Sequence, residues 1–153
     1  MKLPEKGDFL PKLERKIKIE SIPENVFKIV TDGFNTPKWN PAVDSVIEIE
    51  DKKFKLETDL GPITINKIEA DENKSTTWYT ESSTMNIIGY NLTRKKEKET
   101  EVAIWTEYDD KSQSKLFKQT ADSILKGLKN YVEYIERGGD PDTYKKWEFL
   151  TTT

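Results

Sequence analysis

The side chains that carry most catalysis near neutral pH are missing from this chain. Its 153 residues include no His and no Cys. That excludes a Ser-His-Asp triad, a Cys-His pair, a disulfide and any metal site built on imidazole or thiolate. Carboxylates, lysines and tyrosines remain. Asp109-Asp110 reads as a helix start, and Glu48, Glu50, Glu57 and Glu101 alternate toward solvent, so no paired carboxylates are set up for acid/base work. On strict alternation Ile63, Ile65, Lys67 and Glu69 share one face, with Lys67 and Glu69 expected as a surface pair near a rim. Tyr79, Tyr108, a lysine or a carboxylate would have to supply any proton transfer. No Gly-rich phosphate loop, EF-hand loop or metal-ligand spacing occurs. No catalytic residue, metal ligand or cofactor is therefore expected.

The net charge of −3 is mild, with both signs interspersed, which argues against a nucleic-acid partner. No apolar run approaches the roughly 20 residues of a membrane span, and the N-terminal MKLPEKGDFL has no signal-peptide core. A cytoplasmic protein without integral membrane contact is expected, and the sequons at Asn73 and Asn91 are then chance matches. The length fits one domain over residues 1–153, large enough to bury a core without staples. Residues 1–12 read as a loose arm and residues 138–153 as a tail packing on the body. In that tail Tyr144, Trp147 and Phe149 either cover an edge of the fold or meet a partner. Self-association into a homodimer stays open.

The elements that must position any site begin with a long helix over Ser112–Arg137. At about 100° per residue, Leu116, Phe117, Ala121, Ile124, Leu125, Leu128, Tyr131, Val132, Tyr134 and Ile135 gather on one half of it. Asp110 or Ser112 can cap its start. Gly138 and Gly139 can take the left-handed turn at its end, and Pro141 prevents a restart. Glu133 and Arg137 are spaced as an i,i+4 ion pair. At about 1.5 Å per residue the rod is roughly 39 Å long, so its apolar face needs a large partner surface. Ahead of it, Leu13–Ser21 alternates as a half-buried strand. Pro23 opens a short helix, and Thr36–Pro41 is a second helical or turn segment closed by the proline. From Val43 the period is 2. Strands are expected at Val43–Glu50, Lys53–Asp59, Ile63–Ala70, Lys74–Glu81, Met85–Lys95 and Thr100–Tyr108, paired antiparallel through hairpin-length turns. Seven strands with one apolar face and one long apolar-faced helix are satisfied by curling the sheet around the helix.

This order resembles the START/Bet v 1-like superfamily (SRPBCC, polyketide cyclase/dehydrase-like). Ile17–Phe27 looks like its opening strand running into Pro-x-x-Val-Phe/Trp. Asp32 followed by Trp39-Asn40-Pro41-Ala42-Val43 looks like its Asp…Trp-x-Pro-x-Val segment, and Leu128–Glu133 resembles the close of its last helix. The likeness covers roughly residues 13 to 138. It implies an α+β helix-grip fold: a seven-stranded antiparallel curved sheet wrapped around a C-terminal helix at about 112–137, with two short helices after strand 1. The superfamily includes lipid carriers, hormone receptors, aromatase/cyclases, quinone-binding helpers and chaperone activators, so the fold does not choose among them.

A bent sheet and a straight helix cannot touch along their full lengths, so a cavity is expected between them. The inward sets give Phe54, Leu56, Thr58, Trp78, Asn91, Ile104, Thr106 and Tyr108 from strands, and Trp39, Phe117, Ile124 and Leu128 from helices, as candidate ligand-binding residues. The competing readings are plain core for Leu56, Ile104, Ile124 and Leu128, a structural wedge for Trp39, and a backbone-bonded hydroxyl for Tyr108. Asn91 and Thr106 are the diagnostic pair, because a buried amide or hydroxyl must find a partner. Gly127 interrupts the helix either for close approach or to leave room for a ligand, and Gly61-Pro62 is either a hairpin turn or a lid. The expected role is a carrier or sensor, lipid-binding or otherwise, for a hydrophobic or aromatic small molecule. The alternatives are an aromatase/cyclase-type enzyme using the same cavity and a chaperone-activator-like interaction module.

Overall fold

A computed structural model of the chain describes residues 12–51, 53–59, 61–81, 85–108 and 114–150. The N-terminal arm, with Phe9 and Leu10, and the helix-capping candidates Asp110 and Ser112 lie outside the described residues. Strand β1 (Lys12–Ile19) leads into α1 (Pro23–Val30) and the single turn α2 (Thr36–Trp39). Six strands follow: β2 (Val43–Glu50), β3 (Lys53–Thr58), β4 (Gly61–Asp71), β5 (Ser75–Thr80), β6 (Met85–Lys96) and β7 (Glu99–Tyr108). The long helix α3 (Ser114–Glu136), a 3-10 turn (Pro141–Thr143) and the short helix α4 (Lys146–Leu150) close the chain. The sheet order is β1-β7-β6-β5-β4-β3-β2 with every pair antiparallel, so a six-strand meander takes β1 onto its β7 edge. The expected seven-stranded curved sheet with its long C-terminal helix is the observed fold.

Local chemistry explains the joints. Pro23 occupies the first turn of α1, where a missing N–H costs nothing. Asn40 is extended at ψ 113°, as a residue before proline must be, and α2 ends there. At the end of α3, Gly138 adopts φ +91° and the amides of Gly138 and Gly139 donate to Ile135 O and Tyr134 O, both at 2.9 Å, which satisfies carbonyls the helix leaves open. The expected Glu133–Arg137 pair is replaced. Glu133 Oε2 instead accepts from Lys129 Nζ at 2.6 Å and from the Glu20 backbone N–H at 2.9 Å, tying α3 to the end of β1. Gly61 and Pro62 are paired strand residues, opposite Thr58 and Glu57, so this corner is a tight hairpin.

β-Bulges bend the sheet. Between Ile65 and Lys67 the register of β4 on β5 slips by one, so Ile63 and Ile65 face inward, then Ile68 opposite Trp78 does, and Lys67 and Glu69 turn outward. This corrects the shared face read from strict alternation. The outward pair is a surface ion pair at 3.0 Å, and Glu69 Oε1 also accepts from the Tyr79 hydroxyl at 2.7 Å. That contact holds Glu69 below the usual carboxylate range and Tyr79 above the usual phenol range.

The core divides in two. One cluster joins α3 to β1, β6, β7 and α1, with Leu125, Leu128, Val132, Val26 and Val102 at its centre. The second lies in β2 to β5 and is built from Val43, Phe54, Leu56, Ile63, Ile65 and Trp78. The straight helix closes on one half of the sheet while the other half curls away from it. Where β1 ends the chain is stapled at Ser21, whose carbonyl accepts from the fully buried Thr100 Oγ1 at 2.7 Å. Thr100→Val keeps the shape but strands that carbonyl. A loss of about 1 kcal/mol in urea unfolding is expected, at the low end for an unsatisfied buried acceptor because the turn can relax. An unchanged midpoint would mean the bond contributes nothing net.

Candidate functional site

The space between the two clusters is not filled. A cavity of about 80 Å³ is lined by Trp39, Val43, Leu56, Thr58, Ile63, Ile65, Trp78 and Tyr90, with Thr120 and Ile124 from α3 above. A second cavity of about 50 Å³ lies toward β1 and β7, between Leu13, Ile104, Thr106, Phe117 and Ala121. Ile88, Thr120 and Ile124 line both, and so form the partition between them. On the surface an open groove of about 590 Å³ runs between α3 and the chain around Pro41, with Leu116 and Trp147 on its lips. Ala42 is shared by the groove and the larger cavity, and Thr120 by all three spaces. Among the described residues, these two border both the surface groove and the interior space.

Most expected site residues meet at these cavities. Trp39, Leu56, Thr58, Trp78 and Ile124 line the larger, and Ile104, Thr106, Phe117 and Ile124 the smaller. Phe54 is buried in the second cluster beside Trp78 and borders neither cavity, since its ring packs against Gly33. Leu128 is fully buried core against α1. Asn91 is exposed on the face away from the helix, opposite Ser75 and Ala103. The inward positions of β6 are its neighbours Tyr90 and Leu92, because alternation must send the residue between them outward. Tyr108 ends β7 opposite Met85, and its side chain lies outside the described residues. Gly127 faces Trp39 O and Pro41, so it serves close approach of α3 to α2 and leaves no room for a ligand. Leu116, counted on the apolar half of the helix, is instead a groove lip at 43 % exposure.

The polar handles differ from those expected. Thr106 Oγ1 donates to Ile87 O at 2.7 Å and Thr58 Oγ1 to Gly61 O at 2.6 Å, so the sheet backbone occupies both hydroxyls. The indoles are another matter. Trp39 and Trp78 are 2 % and 6 % exposed, and neither Nε1–H has an acceptor among the described residues. Each such donor costs about 1–3 kcal/mol if nothing meets it. Tyr90, missed by the alternation, also lines the larger cavity, and burial pushes its phenol well above the ordinary value. The signal that finds these three is amphipathic aromatics at inward positions, each an apolar body with a polar tip.

The tail pins the rim. Tyr144 is buried against Tyr131 and Tyr134, with ring centroids 4.9 Å from each, and its phenol is pushed up to about 12 by burial. Lys146 Nζ donates to Asn40 O at 2.7 Å and Val43 O at 2.8 Å, on two residues that line the larger cavity. Burial draws the Lys146 ammonium below its usual pKa, partly offset by Asp44 and Asp59. Trp147 stays 54 % exposed on the groove, and the Phe149 side chain lies outside the described residues. Among the described residues, no cluster of acidic groups can hold a metal ion, and no helix is long and apolar enough to cross a membrane.

No protein-family model matches the chain, and no curated protein is similar to it in sequence. Solved structures do match in shape. A START superfamily protein from Mycobacterium smegmatis superposes with a TM-score of 0.69 at 14 % identity, covering 81 % of this chain and 98 % of that one. The Zhui aromatase/cyclase from Streptomyces sp. R1128 gives 0.66 at 10 % identity, covering 86 % and 99 %. The Aha1 dimer from Colwellia psychrerythraea gives 0.63 at 16 % identity, covering 81 % and 97 %. The chain therefore has the START/Bet v 1-like helix-grip fold, and identities this low establish the fold alone.

Proposed function

We propose that this protein binds a hydrophobic small molecule in the gap between its curved sheet and long helix. The observation that carries the reading is the gap itself: a mostly apolar, unfilled space between two core clusters, which shares the lining residues Ala42 and Thr120 with an open surface groove. As it stands the larger cavity, at about 80 Å³, is well below the several hundred Å³ of a typical ligand site. Binding therefore requires the Ile88–Ile124 partition or the tail-pinned rim to yield, and both are made of side chains that can move without breaking the sheet. A carrier or sensor needs no acid or base, which fits a lining whose one titratable side chain among the described residues is Tyr90. The aromatase/cyclase reading has less support, because burial moves that phenol away from neutrality rather than toward it.

Native mass spectrometry of protein purified from its own host is expected to show a co-purifying small molecule, and Nile red is expected to bind the emptied protein saturably at one site. A clean apo mass across several preparations, together with non-saturating dye binding, would overturn the reading.

A further inference from the structure

Independently of the cavity, we propose that the open edge strand β2 receives an extended, basic segment of a partner protein as an eighth strand of the sheet. The two edges of the sheet are β1 and β2. The first is covered. Helix α3 runs along β1, where Lys129 Nζ donates to Lys18 O at 3.2 Å, the Glu20 N–H donates to Glu133 and Arg15 pairs with Asp122 at 2.8 Å. The second edge is bare. Lys146 takes Val43 O at its start, and beyond that no hydrogen bond outside the pairing with β3 reaches residues 44–50 among the described residues. All of these residues but Val46 are exposed, and Ile47 and Ile49 are 60 % and 51 % open to solvent.

An unpaired edge presents a row of N–H and C=O groups that another strand can meet. Residues 45–48 pair regularly with β3 between two bulges, so this stretch keeps the geometry of a ladder. Charge decides which strand fits it. Asp44, Glu48, Glu50 and Asp51 stand on the edge, and none is in an ion pair with a described residue. Of the lysines behind them on β3, Lys53 turns to Glu81 at 4.0 Å and Lys55 lies opposite Ile47. A second copy of this chain fits poorly. Pairing β2 with β2 lines the carboxylates of one copy against those of the other, and like charges opposite one another destabilise a strand pair. The basic strand β1, with Arg15, Lys16 and Lys18, is already covered by α3. A segment that alternates Lys or Arg with β-branched apolar residues meets every feature of the edge: main-chain bonds to the ladder, cations for the carboxylates and apolar contact for Ile47 and Ile49. Carboxylates also guard a bare edge against self-pairing, but a guard gains nothing from two exposed isoleucines.

The probe is the capped peptide TKVKIKVT. It is compared with TEVEIEVT, which reverses the charge, and with TKTKTKTT, which keeps the charge and removes the apolar residues. Binding to the full chain is followed by the amide spectra and amide exchange of a nitrogen-15-labelled sample. TKVKIKVT is expected to bind saturably, with shifts centred on residues 44–50, and to outbind both controls. At about ten times its Kd the outward amides of residues 45–48 should exchange about 10-fold more slowly, since only the free fraction exposes them. The double variant Glu48→Lys with Glu50→Lys changes two exposed side chains, and its fold is checked by circular dichroism. It should bind TKVKIKVT about 10-fold more weakly, as two surface attractions become repulsions, and should accept TEVEIEVT instead. Equal binding of TKTKTKTT, shifts centred away from β2, or no saturable binding at all would each overturn the proposal. So would protection of β2 that grows with protein concentration alone, which would make a second copy the occupant. None of these outcomes touches the cavity reading, whose own test is the co-purifying ligand.

Discussion

Gly127→Ala is expected to lower the unfolding midpoint, although alanine is the better helix former. In a solvent-exposed helix interior the substitution would gain about 1 kcal/mol. Here a Cβ at 127 would sit 2.6 Å from the Trp39 carbonyl oxygen and 2.6 Å from Pro41 Cδ. The first is backbone and the second a closed ring, so neither can swing aside as a long side chain would. Either α3 lifts or α2 shifts with Trp39 and Pro41 attached. Overpacking of this kind typically costs about 1–3 kcal/mol, and contact with rigid groups belongs at the upper end. Net of the propensity gain, a loss of about 2 kcal/mol follows, or a fall of roughly 4–8 °C in a chain of this size. Thermal unfolding followed by circular dichroism reads it directly. A raised midpoint would show that α3 does not press on α2 at this turn. Because Trp39 also walls the cavity, the variant that folds is expected to bind apolar probes differently too, which links a backbone contact to the site.

The same glycine shows what the sequence could and could not convey. Its place on the apolar flank of a 3.6-period helix was legible, since Phe117, Ala121, Leu125, Leu128 and Val132 mark that face without ambiguity. What it faces was not, because no local pattern says which loop a helix will meet. The strands divide in the same way. β3 and β7 alternate cleanly, and Leu56, Ile104 and Thr106 point where the period sends them. β6 reads Ile87-Ile88-Gly89-Tyr90-Asn91-Leu92, apolar on both sides at its start, so its phase has no signature, and the inward residue is Tyr90 rather than the expected Asn91. In β4 the phase is clear on each side of Asn66 but flips across it, because a bulge adds a residue that composition does not announce. In β2, Ile47 and Ile49 are exposed beside an acidic run, where hydrophobicity alone would have buried them. The early Pro23, Trp39 and Pro41 carried the fold better than any strand, since each fixes a backbone corner rather than a face. Trp39 and Trp78 were legible as inward aromatics but not as unpaired donors, because an indole N–H rides on a ring that the same pattern counts as core.

Removing the partition is the sharper test of the site. Ile124 is half-buried and stands, with Ile88 and Thr120, between the cavities of about 80 and 50 Å³. Ile124→Ala deletes most of that wall from the helix side. Large-to-small substitutions in cores cost about 2–5 kcal/mol, and a residue already bordering empty space loses fewer contacts, so about 2 kcal/mol is expected. The two spaces then become one, enlarged by the deleted carbons. An apolar cavity of that kind binds apolar guests rather than water. The variant is therefore expected to be less stable and yet to hold 9-fluorenone more tightly than the wild type does. The two effects meet in one thermal-shift experiment, because a ligand at 100 times its Kd restores about 2.7 kcal/mol through binding to the folded state alone. Saturating ligand should bring the Ile124→Ala midpoint back to or above that of the unliganded wild type, while the same concentration moves the wild type less. If the variant loses its stability and gains no affinity, Ile124 is ordinary core and the two cavities are separate voids. If affinity rises as expected, the gap between helix and sheet is a binding chamber whose size one side chain sets. The wild-type isoleucine would then mark how far the native ligand must push Ile88 and Ile124 apart to enter.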